Sequence, residues 1–485
     1  MTSSADNSRT SLIHAFASTE SLPGAASEPQ VSPVNQSSAK KKKGAALEKS
    51  RRITLYFLLV LVFLRFSSFH QMLEYKLHID LYILYFVGIP AFLGIPLTNG
   101  FKRVWAHPPA RYWTAFALWL ITTTAFSAWR SGSIAIVQGY YKTEFLLLFA
   151  IGALVATWRE FRWLMFTMAG AAALNVILVL LFRQLDDNGR TYLPFGTVAN
   201  ANDYSAHLVF VLPFVLWVIF ITKSSYLRFF AFAILALGLF EVLAAGSRGA
   251  LLSLISAFFV LVFGSTAKIR KTVLIAVPVL AVVLIAFLPS SVKIRMLAYS
   301  QQFPSPGSAP SEALESSESR KQVLKDSIAF TIQHPLLGLG PGQFENVEGE
   351  TTMKAGKTLW LEAHNSFAQI ASENGLPGII FYLGGTFISL LYLNKMARLF
   401  AKKRDHRDAL AAAICVRMVL ISFCVVIFFV NFGYFFYLPA LSGIVIAMAI
   451  ASKPFRTVES AVKAPANSAP TPTQLPEVRS SAWSS

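Results

Sequence analysis

His364 opens the run His364-Asn365-Ser366, ahead of Phe367, Ala368, Gln369, Ile370 and Ala371. An imidazole is partly neutral near physiological pH and can take or give a proton. Ser366 with Gln369 fits a capping box, and Phe367, Ile370, Ala371 and Asn374 share one helical face. Gly375 is a natural helix stop and Pro377 a natural first residue of the next helix. The spacing predicts a short surface helix that holds His364 at its start, although the same residues also serve simply as cap and turn. Two arginines are the next candidates, because a guanidinium forks onto phosphate oxygens. Arg248 stands in the tight turn Gly246-Ser247-Arg248-Gly249, with Glu241 seven residues earlier on what reads as the same helix face. The alternative for this pair is a lipid-snorkelling arginine and a glutamate paired within the bundle. Arg320 reads as the start of an amphipathic stretch carrying Val323, Leu324, Ile328 and Thr331 along one side, or else as a solvated surface arginine.

Weaker signals surround these. Asn200 and Asn202 lie in Gly196–Asp203, which reads as an Asn-rich helix start. The run from His334 to Gly342 is a sharp glycine turn, and without a following Lys-Ser/Thr it is not a nucleotide loop. Asp186-Asp187 reads as a solvated pair rather than a metal site, and no Cys/His cluster has zinc spacing. Cys415 and Cys424 lie nine residues apart in one apolar segment, roughly 13 Å along a helix, too far for a disulfide.

The elements that must position these residues are apolar helices. The chain has 485 residues, 43 Lys plus Arg against 25 Asp plus Glu, and a formal charge of +18. Charged residues are 14% and hydrophobic ones 54%, with 41 phenylalanines; soluble domains carry roughly a quarter charged. Such a balance excludes a soluble enzyme and a disulfide scaffold, and leaves an all-α integral membrane protein. Twelve apolar stretches of helical length are expected at 53–73, 79–98, 112–129, 134–157, 162–182, 205–222, 226–245, 249–264, 272–289, 377–394, 410–431 and 434–451. Residues 1–52 read as a disordered tail ending in the basic block Lys40–Lys43, Lys49, Arg51 and Arg52, and residues 452–485 as a second disordered tail.

Loop charge sets the register. With the N-terminus inside, the inside loops carry Lys102, Arg103 and Arg111, then Arg159 and Arg162, Lys223 and Arg228, Lys268, Arg270 and Lys271, and the cluster from Lys395 to Arg407. The outside loops carry only Lys76, Arg130, Arg183, Arg190 and Arg248. Both termini are then cytoplasmic, and the positive charge is an orientation signal rather than a nucleic-acid footprint. Residues 53–289 hold spans one to nine and 377–451 hold spans ten to twelve. Residues 290–376 form one large outside loop, with Pro304 to Ser319 expected to be mobile. His364, Arg248, Arg320 and the Asn200 turn all fall at the outer face, where a histidine and two arginines suit a lipid-linked anionic substrate.

Over roughly residues 195–395 the sequence resembles the bacterial O-antigen ligase and polysaccharide polymerase family. The family's loop signature is His, then Asn, Ser or Gln, nine residues, Gly, two residues, and Gly, Thr or Tyr. It is met by His364, Asn365, the run Ser366–Asn374, Gly375 and Gly378. The Arg-x-x-x-Leu element is met by Arg248 and Leu252, and an arginine ahead of a His-Pro-Leu-x-Gly turn by Arg320 and His334–Gly338. The Asn-rich start of a middle span is met by Asn200 and Asn202, with Ala201 where proline is common. The resemblance implies a GT-C-like glycosyltransferase of the bacterial inner membrane. Such an enzyme moves a glycan from undecaprenyl diphosphate to an acceptor hydroxyl at the periplasmic face, with no metal and no other cofactor. It implies His364 as base, Arg248 and Arg320 on the diphosphate, and Asn365, Gly375, Gly378, Asn200 and Asn202 in support. A ligase would use lipid A–core as acceptor, a polymerase a growing polysaccharide, and a protein O-oligosaccharyltransferase a protein hydroxyl.

Twelve spans also suit a transporter, for which Lys142, Glu144 and Arg417 are candidate intramembrane charges. The sequence shows no clear internal repeat, and the large outer loop speaks for the enzyme. A tethered binding protein explains the loop arginines least.

Overall fold

The computed structural model describes residues 33–187, 189–297, 309–354, 362–402 and 406–453. Residues up to Glu48 form a unit of their own, and the helical body that carries the candidate residues begins at Lys49.

The described residues are almost entirely helical. In order it forms α1 (Pro33–Ser67), α2 (Phe69–Leu77), α3 (Ile83–Leu97), α4 (Gly100–Trp105), α5 (Pro108–Ala125) and α6 (Arg130–Gly139). A π-helical turn over Tyr140–Phe145 leads to α7 (Leu146–Leu154), α8 (Trp158–Phe182) and a two-residue hairpin of β1 (Gln184–Leu185) with β2 (Thr191–Tyr192). Then come α9 (Ala201–Ile221), α10 (Ser225–Ala244), α11 (Arg248–Gly264), α12 (Ala267–Ala286) and α13 (Ser290–Leu297). The sequence closes with α14 (Ala309–Gln333), α15 (Phe344–Lys354), α16 (Ser366–Ala401), α17 (Arg407–Val426) and α18 (Tyr437–Ala451).

The twelve expected apolar stretches are helical over most of their length, with 53–73 broken at Ser68 and 134–157 running through α6, the π-helical turn and α7. Among the described residues, seven helices are long and apolar enough to cross a membrane, or eight if α1 and α2, bent by 66° at Ser68, count as one broken span. Ile83–Leu97, Arg248–Gly264 and Tyr437–Ala451 are apolar but shorter. Tyr437–Ala451 lies at the centre instead of against lipid: every residue from Tyr437 to Ala451 is buried. Its Gly443 brings it against the backbone of α7, where a Cβ would stand 2.7 Å from the Leu148 carbonyl oxygen. Small residues permit such close helix contact in a medium that gives no hydrophobic drive.

Charges expected only to orient the chain also hold it together. Arg51 is buried, donates to the Leu154 carbonyl at 2.5 Å, and pairs with Glu160 at 2.6 Å. Arg103 donates to the neighbouring Ala153 carbonyl. Two guanidiniums thus close the C-terminus of α7, where the helix dipole favours cations. Glu144 pairs with Arg65 at 2.9 Å, and Arg417 donates to Asn394 at 3.3 Å. The basic block ahead of span one is helical within α1, where the sequence reads a tail; alanine, leucine, lysine and glutamate are strong helix formers. Residues 1–32 and 454–485 lie outside the described residues.

Candidate active site

His364 sits one residue ahead of the cap of α16. That cap is Asn365, whose Oδ1 accepts the N–H groups of Phe367 at 3.0 Å and Ala368 at 3.1 Å. The expected capping box of Ser366 with Gln369 does not form. The Ser366 hydroxyl instead donates to the Val430 carbonyl and accepts the Phe432 N–H, both at 2.8 Å. Gln369 accepts the Gly433 N–H at 3.2 Å. The segment 427–436 is therefore stitched along the helix, and it takes both side chains that a local cap would have used. His364 is half-buried with φ 44°, a left-handed backbone that histidine tolerates better than most residues.

Arg320 lies in the middle of α14, not at a helix start. The Ser/Glu/Ala-rich residues 309–319, expected to be mobile, are helical and belong to α14. Burial, with Arg248 and then Arg190 nearby, lowers the hold of Arg320 on its proton, and Asp203 opposes them. An arginine keeps its charge through such a shift. His364 is pushed down to about 4, first by burial and then by Arg320. Asp203 in turn feels Glu362 and Arg320. His364, Arg320, Arg248, Arg190 and Asp203 are therefore linked electrostatically, and His364, Arg248 and Asp203 stand at the starts of α16, α11 and α9. These helix ends add positive potential, which favours an anion.

Each member is held. Asn200 caps α9, accepting the Asp203 N–H at 2.9 Å and donating to the Asp203 carboxylate. Asn202 contributes only its carbonyl, which accepts the Ser205 hydroxyl at 2.8 Å. Asp186 grips Arg190 through backbone N–H at 2.9 Å and Nε at 2.7 Å, so Asp186 is an ion-pair partner rather than half of a solvated pair. The Arg190 side chain passes Gly246, where a Cβ would stand 3.3 Å away. Ser247 caps α11 and so fixes Arg248 as its first residue. Glu241 does not share a helix face with Arg248, because the chain breaks at Ala245–Ser247. Glu241 accepts the Tyr204 hydroxyl at 2.6 Å instead.

The glycine turn 334–342 explains the signature glycines. It docks on the end of the short helix Ser366–Asn374: Leu339 N–H donates to Ser372 O at 2.9 Å, Gly340 N–H to Glu373 O at 2.9 Å, and Leu376 N–H to Pro335 O at 2.7 Å. At Gly375 the backbone turns to φ 67°, ψ −173°, and a Cβ would collide with the Leu336 carbonyl. Gly378 leaves room for the Asn374 side chain. Asn374 accepts the Trp119 Nε1–H at its carbonyl at 2.8 Å and donates to the Tyr434 hydroxyl at 2.6 Å.

Sequence reading missed Arg190, Asp203 and Glu373. Signals for all three exist: an arginine against the loop-charge trend, an acid three residues after the Asn200 cap, and an acid inside an apolar helix two residues before Gly375.

The family model described as O-antigen ligase matches residues 233–383. Over those residues the chain is similar to the O-antigen ligase family. The matched stretch takes in Arg248, Arg320, His364, Gly375 and Gly378; Arg190, Asn200, Asn202 and Asp203 precede it. No curated protein matches the chain. The match to the O-antigen ligase family supports a membrane enzyme of glycosyl transfer.

Proposed function

We propose that the protein transfers a glycan from undecaprenyl diphosphate to a sugar hydroxyl of lipid A–core, at the periplasmic face of the inner membrane and with both termini cytoplasmic. The observation that carries this is the electrostatic cluster of one neutral histidine with Arg320, Arg248 and Arg190. The His364 imidazole takes the proton of the acceptor hydroxyl as its oxygen attacks the anomeric carbon. The bond to the diphosphate breaks on the opposite side, and Arg320 and Arg248 hold the charge that develops there. Asp203 balances Arg320 while the donor is absent. Direct displacement inverts the anomeric centre. Arginines perform the charge stabilisation that metals supply elsewhere, so the reaction needs no divalent ion. The GT-C-like arrangement and the full count of twelve spans belong to the same reading.

The test is transfer by the purified full chain from an undecaprenyl-diphosphate-linked glycan, in excess chelator, to a panel of acceptors. Lipid A–core glycosylation supports the ligase. Chain growth on a second lipid-linked repeat unit makes it a polymerase, and a glycosylated protein an oligosaccharyltransferase. Activity that returns only with Mg²⁺ or Mn²⁺ overturns the metal-independent mechanism. A reporter fused at Ser308 that reads cytoplasm overturns the orientation.

A further inference from the structure

Glu373 plays no part in the chemistry above, yet it is the most elaborately bonded carboxylate near the site. It is 2% exposed. Its Oε2 accepts the Gly342 N–H at 2.8 Å and the Tyr434 hydroxyl at 2.5 Å, and its Oε1 accepts the Phe344 N–H at 3.1 Å. Phe344 is the first residue of α15, so a carboxylate from α16 caps a helix 29 residues earlier in the chain. The Phe344 ring has two neighbours that matter. It is buried against Val323 and Ala363, with Phe330 edge-on at 5.9 Å. Val323 lies one helical turn beyond Arg320, and Ala363 is bonded to His364. The ring is therefore a wedge between the arginine's helix and the histidine's segment.

We propose that Glu373 is a positioning residue that sets Arg320 against His364, acting through Phe344. This rests on the glycosyl-transfer reading for its effect on catalysis, but not for its geometry. A neutral amide cannot replace the carboxylate: glutamine has one acceptor oxygen and presents N–H groups to at least one of three donors. The glycine turn itself keeps its three backbone bonds to α16, so the fault falls on the donors Gly342, Tyr434 and Phe344. Loosening Phe344 lets water reach His364 and lets Arg320 drift. Both causes that depress the histidine then weaken together.

The experiment titrates His364 in the purified full chain, by the pH dependence of its acylation with diethyl pyrocarbonate, read by mass spectrometry. Arg320 on α14 acts on it directly; Arg248 on α11, Arg190 on the hairpin and Asp203 on α9 act on Arg320, and Glu362 on the histidine's own segment acts on Asp203. The wild-type midpoint is expected at about 4. In Glu373→Gln it should rise by roughly half a unit or more, since solvation and a more distant cation both favour the imidazolium. Transfer should fall about 10- to 100-fold, the size of a misplacement near 1 Å. A folded Glu373→Gln protein whose His364 titrates as in the wild type overturns the proposal, whatever its activity. If that variant does not fold, Phe344→Leu carries the same test: an upward midpoint supports the linkage, and an unmoved one overturns it. A midpoint that moves in a chain whose wild type transfers nothing from a lipid diphosphate sinks the donor reading and leaves the positioning role standing.

Discussion

Helix α12 and the nine residues Ser366–Asn374 solve opposite problems. In α12 only Val273 is buried, while Ile275 and Val282 are each 69% exposed and Val279 is 59% exposed. In the short helix Ser366, Gln369, Ser372, Glu373 and Asn374 are buried polar residues. Lipid is as apolar as the side chains of α12, so nothing drives that helix to bury its surface or to hold one exact place. The short helix turns its polar side inward, where each unmade bond is costly, and every one of those five side chains is hydrogen-bonded. Position within this bundle is therefore specified by buried polar bonds, and His364 stands just ahead of the helix that makes them.

The contrast breaks most visibly at His364. His364→Ala should fold and bind donor, yet lose about 100- to 10,000-fold in transfer, the range of a general base. Near-normal transfer by folded His364→Asn sinks the assignment. The wild-type pH profile sharpens it. The folded protein protonates His364 at about 4 and the unfolded chain near 6.5. The base is therefore intact down to about 4, and the acid limb of kcat/KM should lie there. A bound diphosphate adds negative charge beside Arg320 and raises the histidine, so the limb of kcat should lie higher. For stability the sign is the same. The folded state binds fewer protons between those values, so the contribution of His364 is complete above 6.5 and is lost as pH falls toward 4.

Arg320→Ala should follow, with a loss of about 30- to 1000-fold, part of it in donor affinity. Arg320→Lys should rescue poorly, because an ammonium cannot fork onto two oxygens. Gly375→Ala comes next. It forces a side chain into a backbone region kept for glycine and against the Leu336 carbonyl. Heat unfolding and transfer should worsen together, by about 1–3 kcal/mol. Val282→Ala in α12 should have the smallest effect, within about 0.5 kcal/mol and with full activity. A large loss there would mean that α12 is specified by something other than lipid.

The helices, and the helix starts at Arg248 and just after His364, were legible in sequence because both are local. Hydropathy places the apolar stretches, and the turn after α10 with the run at His364 each announce a helix start. What was not legible depends on distant partners. Asn365 caps in place of Ser366 because segment 427–436, more than 60 residues away, claims the Ser366 hydroxyl. Arg320 moves from a helix start to a helix middle because a serine-rich stretch, read by composition as loop, has enough alanine and glutamate to continue the helix. Glu373 finds its amides 29 and 31 residues away and its tyrosine 61 away, which no local pattern encodes.

The left-handed backbone of His364 bears on any effort to make this protein more robust. Glycine occupies that conformation without the steric cost of a Cβ, about 1 kcal/mol or more. A His364→Gly chain should therefore unfold at the same temperature as the parent or higher, while transferring nothing. A library sorted on heat resistance alone would enrich the inactive variant. Selection for thermal hardness and selection for chemistry pull in opposite directions at this one residue, so a screen here must score turnover.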